Sequence, residues 1–330
     1  MFIGQWQRAL ITFRRGLMQV PSQRHGVHPG TLRMFAICTV LAVIISGVAM
    51  AQNSPPPVSG TPDKAVFNQD QTILLRYPRD KKGSYVIPAS VTTIWLDAFS
   101  RCDGLTEVTI PTSVTHIESP AFSDCPSLTA IHVDAANPNF SSEDGVLFDK
   151  NQTVLIRYPA ARTGSYVMPA SVTEMWTWPF AFSGSTGLTS LTISAGVTNI
   201  VNWTFDGCNR LTGITVHAAN LNYRSVDGVL FNRKQTGLIR YPNARSGSYA
   251  IPPSVTTIWG NAFSRCAGLT NVTIPASITL IGMSSFEGCT NLPASLREAI
   301  QNLARSRNPK APVSPFGTEE TSPLPNSTLY

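Results

Sequence analysis

Val108-Thr109-Ile110-Pro111-Thr112-Ser113-Val114-Thr115-His116-Ile117, followed by Ala121-Phe122-Ser123-Asp124-Cys125-Pro126-Ser127-Leu128, is the stretch that decides how this chain folds. In its first half apolar residues alternate with polar ones and β-branched types dominate, the pattern of a strand with one buried face. Pro111 interrupts the ladder, as prolines do at strand ends. The Ala-Phe segment that follows is too short for a full helix, so a turn or a turn and a half is expected, with Phe122 and Leu128 pointing inward.

The octet recurs. Ala98-Phe99-Ser100-Arg101-Cys102-Asp103-Gly104-Leu105 precedes it by 23 residues, and further copies centre on Phe182, Phe205, Phe263 and Phe286, again in pairs 23 residues apart. A longer period encloses the pairs. Arg76-Tyr77-Pro78, Arg157-Tyr158-Pro159 and Arg240-Tyr241-Pro242 are spaced by 81 and 83 residues, and Gly83-Ser84-Tyr85, Gly164-Ser165-Tyr166 and Gly247-Ser248-Tyr249 follow at the same spacings. Stacked repeats bury a core that no single repeat could bury alone, so the periodicity predicts a solenoid. Asp144-Gly145-Val146-Leu147-Phe148 matches Asp227-Gly228-Val229-Leu230-Phe231, and each Asp-Gly pair marks a tight turn entering a strand. Ala65-Val66-Phe67 is a degraded first copy without the turn. The reading places three long units over 64–293, each of roughly four coils, and a capping helix over 294–305 whose Leu296, Ile300 and Leu303 fall at helical spacing.

The ends differ in kind. Residues 1–51 hold five arginines and no acid, then an apolar run from Met34 to Met50 that ends Ala49-Met50-Ala51. These are the parts of a secretory signal peptide, with either Met1 or Met18 as the start and cleavage expected after Ala51. An uncleaved membrane anchor is the alternative, although an apolar run of roughly 17 residues is marginal for a span that needs about 20. Residues 52–63 are a Pro-rich linker, and 306–330, with five prolines, carry too little to bury and are expected to be disordered. Without the five leader arginines, 20 of the 25 basic residues remain against 19 acids. The net charge of about +1 argues against nucleic acid as a partner.

Six copies of Ala-Phe-x-x-Cys-x-x-Leu, preceded by segments like Val-Thr-Ile-Pro-x-Ser-Val-Thr-x-Ile and joined by Asp-Gly-Val-Leu-Phe and Tyr-Pro segments, resemble the leucine-rich repeats of the BspA-like bacterial surface proteins. The resemblance implies a mainly β, curved leucine-rich-repeat solenoid with a parallel sheet along one face. It also implies a secreted or cell-surface location, with the periplasm as alternative, and adhesion to an extracellular or surface protein. Fold transfers through such a resemblance more safely than ligand.

Chemistry is scarce. His116, His132 and His217 share no repeat position, and there is no phosphate loop, nucleophile elbow or zinc-protease motif, so no enzyme and no cofactor is expected. Asp144 and Asp227 suit turns better than calcium. Cys102, Cys125, Cys208, Cys266 and Cys289 occupy one repeat position, with Ser185 in the sixth copy. Cys102 with Cys125, or Cys266 with Cys289, would lie close enough to consider bridging, but stacked side chains run parallel and disulfides need convergent vectors. Buried free thiols are expected.

Two ladders are candidate ligand contacts. Trp95, Trp176 and Trp259 recur at the long period, each after a residue that should face the core, and so should face outward roughly 20 Å apart. Trp178 and Trp203 would widen that patch. Such a row suits stacking on polysaccharide or anchoring a partner protein. The plainer alternative is that each tryptophan lies flat over its neighbouring coil. Arg76, Arg157 and Arg240 form the second ladder, whose plain reading is a solvated charge at a strand end. Besides protein binding, the pattern leaves open a carbohydrate-binding module and a structural envelope protein without a discrete ligand.

Overall fold

Residues 64–176 and 180–307 are described in a computed structural model; the leader, the linker, the tail from 308 and Trp178 lie outside the described residues. Each long unit is built on two strand-bearing sides. On one side, β2 (Ile73–Arg76), β4 (Thr93–Ile94) and β6 (His116–Ile117) stack in parallel, and β1 (Val66–Phe67) closes the N-terminal edge antiparallel to β2. On the other, β3 (Gly83–Val86), β5 (Leu105–Ile110) and β7 (Ala130–Val133) stack in parallel.

The second unit adds β8 (Phe140–Glu143), β9 (Val146–Asp149), β10 (Val154–Arg157) and β12 (Glu174–Met175) on the first side. Its second side holds β11 (Gly164–Val167), β13 (Leu188–Ile193) and β14 (Gly213–Val216). The third repeats the plan with β15 (Tyr223–Val226), β16 (Val229–Asn232), β17 (Gly237–Arg240), β19 (Thr257–Ile258) and β21 (Leu280–Ile281), and with β18 (Gly247–Ala250) against β20 (Leu269–Thr273).

Each unit therefore makes three coils, not four. The segment expected as a fourth coil is an antiparallel hairpin, β8–β9 or β15–β16, and it stands between one unit and the next. The cause is local: Asp144 and Gly145 have φ of 51° and 76°, and Asp227 and Gly228 have 48° and 75°. Two successive left-handed residues make the tight turn whose twist matches an antiparallel pair, so the chain reverses where a coil would have continued.

The octet is a run of turns without helix. The residue two places after each phenylalanine is left-handed in all six copies: Arg101, Asp124, Gly184, Gly207, Arg265 and Gly288 have φ between 52° and 74°. A left-handed residue breaks the helical ladder, which is why no helical turn propagates. Within each pair of octets the first phenylalanine packs on the second, with centroids 5.1 Å apart for Phe99–Phe122, 6.1 Å for Phe182–Phe205 and 4.7 Å for Phe263–Phe286. In the coils without an octet, Tyr77, Tyr158 and Tyr241 take the place, 5.2–5.5 Å from the next phenylalanine. Each unit thus carries one column of three aromatic rings, Tyr77–Phe99–Phe122, Tyr158–Phe182–Phe205 and Tyr241–Phe263–Phe286.

Buried asparagines close the gap before each hairpin. Asn137 Nδ2 donates to the carbonyls of Pro111 (2.7 Å) and Val114 (2.9 Å), and its Oδ1 accepts from the amides of Asn139 and Phe140. Asn220 makes the same four bonds one unit later. At the far end, α1 (Ala294–Arg307) buries Ile300 and Ala304 and packs Leu296 and Leu303 on the last coils. The helix runs two residues past its expected end, through Ser306 and Arg307. No helix among the described residues is long and apolar enough to cross a membrane.

Candidate functional site

The strands β3, β5 and β7, and their counterparts in the later units, present one set of alternate side chains to solvent. The rung Val86–Thr109–His132 is repeated as Val167–Thr192–Thr215 and as Ala250–Thr273. The rung beside it reads Ser84–Glu107–Ala130, then Ser165–Ser190–Gly213, then Ser248–Asn271. Across these rungs only Glu107 and His132 are ionisable, and their side chains approach to 3.6 Å. Val86 and Val167, each on the first strand of its three-stranded stack, are 66% and 68% exposed.

In the middle unit this face deepens into a cleft of about 470 Å³. Glu143 and Asp144 at the hairpin tip form one end and His217 the other. Tyr166, Val167, Met168, Pro169 and Ala170 line it from one coil, and Thr192, Ile193, Ser194 and Ala195 from the next. The topology explains why it is there. Among the described residues, a hairpin tip followed by three successive strands on this side occurs only in the middle unit: the third has only β18 and β20, and the residues that would precede β1 in the first lie outside the described residues.

The arginine ladder is placed otherwise than expected. Arg76 is half-buried at the N-terminal end, but Arg157 and Arg240 are 3% and 1% exposed, so neither is a solvated charge nor reachable by a surface ligand. Arg240 donates from Nη1 to the carbonyl of Asn261 (2.5 Å), and from Nη2 to those of Phe205 and Ser264 (both 3.3 Å) and to Asn243 Oδ1. Arg157 Nη1 reaches the equivalent carbonyl, that of Phe180, at 3.3 Å. These carbonyls belong to octet turns flanking a coil that has no octet of its own to pair with them, and the guanidinium fills that role. Burial pulls both guanidinium pKa values down.

The tryptophans do not form an open row. Trp95, Trp176 and Trp259 are all half-buried. Trp176 packs beside Val154 against the first unit's core, and Trp259 packs against the clusters on both sides of it. A Cβ added at Gly237 would lie 2.9 Å from Trp259 Nε1, so this indole lies over the preceding coil. Among the described tryptophans Trp203 is the exposed one, at 44%.

All five described cysteines are free and buried. Each Sγ donates to a carbonyl of the preceding coil, at 3.0 Å from Cys125 to Phe99 and from Cys289 to Phe263, and at 3.2 Å from Cys208 to Phe182. Burial pushes Cys102 and Cys208 up to about 12 and Cys125 up to about 11. Because the folded values lie above the unfolded one near 9, the stability they contribute is complete below pH 9 and is lost as pH rises toward 11–12. Urea midpoints should be level from pH 7 to 8 and fall by pH 10.5. A thiol reagent at pH 8 should label none of these five cysteines in native protein and all five in urea. Native labelling of even one would contradict the burial.

Asp144 and Asp227 serve the hairpin turns. Arg162 donates to the Asp144 carbonyl and lies 3.7 Å from its carboxylate, and Arg245 donates to the Asp227 carbonyl at 2.5 Å. Sequence reasoning missed Asn137, Asn220, Arg162 and Arg245, although Ala-Ala-Asn-x-Asn recurs before both hairpins.

No curated protein matches the chain. Among solved structures, a leucine-rich repeat protein from Eubacterium ventriosum is 23% identical, with a TM-score of 0.43 over 62% of this chain and 64% of that one. A leucine rich cell surface protein from Faecalibacterium prausnitzii is also 23% identical, with a TM-score of 0.42 over 73% and 76%. The chain thus spans less than two thirds of the first of these. A model of the BspA type leucine rich repeat region matches residues 80–152 and 165–293 in six copies, ranges that contain all six octets. The chain belongs to the BspA-type leucine-rich-repeat family.

Proposed function

We propose that this is an exported, non-enzymatic repeat protein that binds a partner protein at or outside the cell surface through the exposed β3–β5–β7 type of face. The observation that carries the reading is the composition of that face: small, almost uncharged side chains around exposed valines, with a cleft in the middle unit. Such a surface is cheap to desolvate and admits close approach of another chain. The leader, basic then apolar and ending Ala49-Met50-Ala51, supports export. Half-burial of Trp95, Trp176 and Trp259 favours their role as cover for the coils over a sugar-stacking platform.

The test is capture. Purified Gln52–Tyr330 contains every described residue and is presented to panels of extracellular proteins and of polysaccharides. Protein capture with inert sugars is expected. Sugar-dependent quenching of tryptophan emission without protein capture would replace this reading by carbohydrate binding. Capture of neither would make the protein a structural component of the envelope.

A further inference from the structure

Arg157 and Arg240 are buried at matching corners of the solenoid, each in a coil that has no octet of its own. Their surroundings differ. Arg240 reaches back to the second unit through the Phe205 carbonyl and forward to the carbonyls of Asn261 and Ser264, and Asn243 Oδ1 accepts from the same guanidinium. Asn243 Nδ2 in turn donates to the Ser264 carbonyl at 3.2 Å. Arg157 makes one hydrogen bond among the described residues, to the Phe180 carbonyl at 3.3 Å. Nε is unpaired in both arginines, so the contrast lies in the Nη groups. Ala160 stands where Asn243 does and offers no side-chain acceptor, and no bond ties Arg157 back to the first unit.

An ion pair adds to the difference. Arg265 of the third unit lies 3.8 Å from Asp206 of the second, whereas the counterparts at the first boundary are Gly184 and Ser123, which carry no charge. On the hairpin side the two boundaries match. Asn137 and Asn220 make the same four bonds, and the amides of Ile131 and Ile214 donate to the Gly145 and Gly228 carbonyls at 2.8 and 2.9 Å. The asymmetry therefore belongs to the arginine corner. A buried guanidinium is tolerated when its donors are satisfied and is costly when they are not.

We propose that the boundary between the first and second units is a built-in seam, at which the first unit detaches as one cooperative element while the second and third stay joined. Opening there returns the Arg157 guanidinium to water at the loss of one long bond. Opening at the second boundary gives up the bonds of Arg240 that cross it and the Arg265–Asp206 pair. Because stacked units hold chiefly to their neighbours, such a partial opening is accessible without global unfolding. The seam crosses the exposed face between β3–β5–β7, which carries Val86, and β11–β13–β14, which carries Val167, so its opening divides that face in two. The seam stands independently of what the face binds.

Hydrogen exchange of Gln52–Tyr330, followed by mass spectrometry, tests the seam. The strands β5 and β7 should exchange at one common rate, about ten-fold faster than β13 and β14, the equivalent of one or two net hydrogen bonds. Arg157→Met removes the poorly compensated charge at similar volume and should slow exchange in β5 and β7 about ten-fold, whereas Arg240→Met should speed exchange in β20. Ala160→Asn supplies the acceptor that Asn243 provides in the third unit, and should slow β5 and β7 with the guanidinium retained. A gradient in which β5 exchanges faster than β7 would show fraying from the N-terminal end and would overturn the proposal. Protection in the first unit equal to that in the second, or exchange unchanged in both variants, would do the same. So would an Arg157→Met protein that exchanges faster in β5 and β7 or fails to fold.

Discussion

Arg240→Ala should be among the most destabilising single changes in this protein, costing about 4 kcal/mol. Three backbone carbonyls, those of Phe205, Asn261 and Ser264, lose their donor in a site that is 1% exposed. Each buried carbonyl left unpaired costs about 1–3 kcal/mol. Part of that is offset, because the desolvated guanidinium is itself expensive to bury and its Nε has no partner. Arg240→Met separates the terms. It fills the space and removes the charge, yet orphans the same carbonyls, so it should recover only part of the loss. Arg240 joins the last turn of the second unit to the first turn of the third, and a solenoid is held together by such neighbour contacts. Urea unfolding of either variant, followed by circular dichroism, should therefore split into two steps, with the third unit melting first. Arg76→Ala, at the half-buried N-terminal end, should cost less and leave one step. A neutral Arg240→Met would mean the guanidinium is unnecessary.

Asn220→Ala is the second large effect, again about 4 kcal/mol. The fully buried side chain pairs with two carbonyls, Ser194 and Val197, and two amides, Asn222 and Tyr223, so truncation strands four backbone groups and leaves a void. Asn220→Asp gives a sharper test. It keeps both acceptor bonds but aims a carboxylate oxygen at two carbonyls, which favours the protonated acid and raises the pKa. Stability should be present below the unfolded carboxyl pKa and lost as pH rises through the folded one, so the variant should be closer to wild type at pH 4 than at pH 7. Equal deficits at both pH values would contradict the bonding assigned to Asn220.

These two residues also show what the sequence makes legible. The octet, the alternating strand before it and the helix from Ala294 were readable because period and hydrophobicity alone encode them. The coil count was not, since Asp144-Gly145 was taken only as a turn into a strand; Asp-Gly is a hairpin-turn pair, but the strand before it, Phe140-Ser141-Ser142-Glu143, lacks the apolar run that would have marked the hairpin. The arginines were misplaced for a different reason. A strand-end charge is ordinarily solvated, and the need for a buried donor arises only when octet-bearing turns stack beside a coil that lacks one. One clue was available. Arg157 and Arg240 stand immediately before the column aromatic, where four of the six octets have alanine (Ala98, Ala121, Ala181 and Ala262), a position that faces inward. The cleft had no sequence signature, because it depends on the hairpin tip, β11, β13 and His217 meeting in space.

The central claim is that partners are bound on the face that carries Val86 and Val167. It is tested most directly by measuring partner affinity for Val167→Arg beside a Trp95→Ala/Trp259→Ala variant, each of verified fold. The account predicts that the arginine on the sheet face abolishes binding while loss of the indoles leaves it within a few-fold of wild type. Full binding by Val167→Arg, together with loss in the tryptophan variant, would contradict it and move recognition to the opposite side of the solenoid.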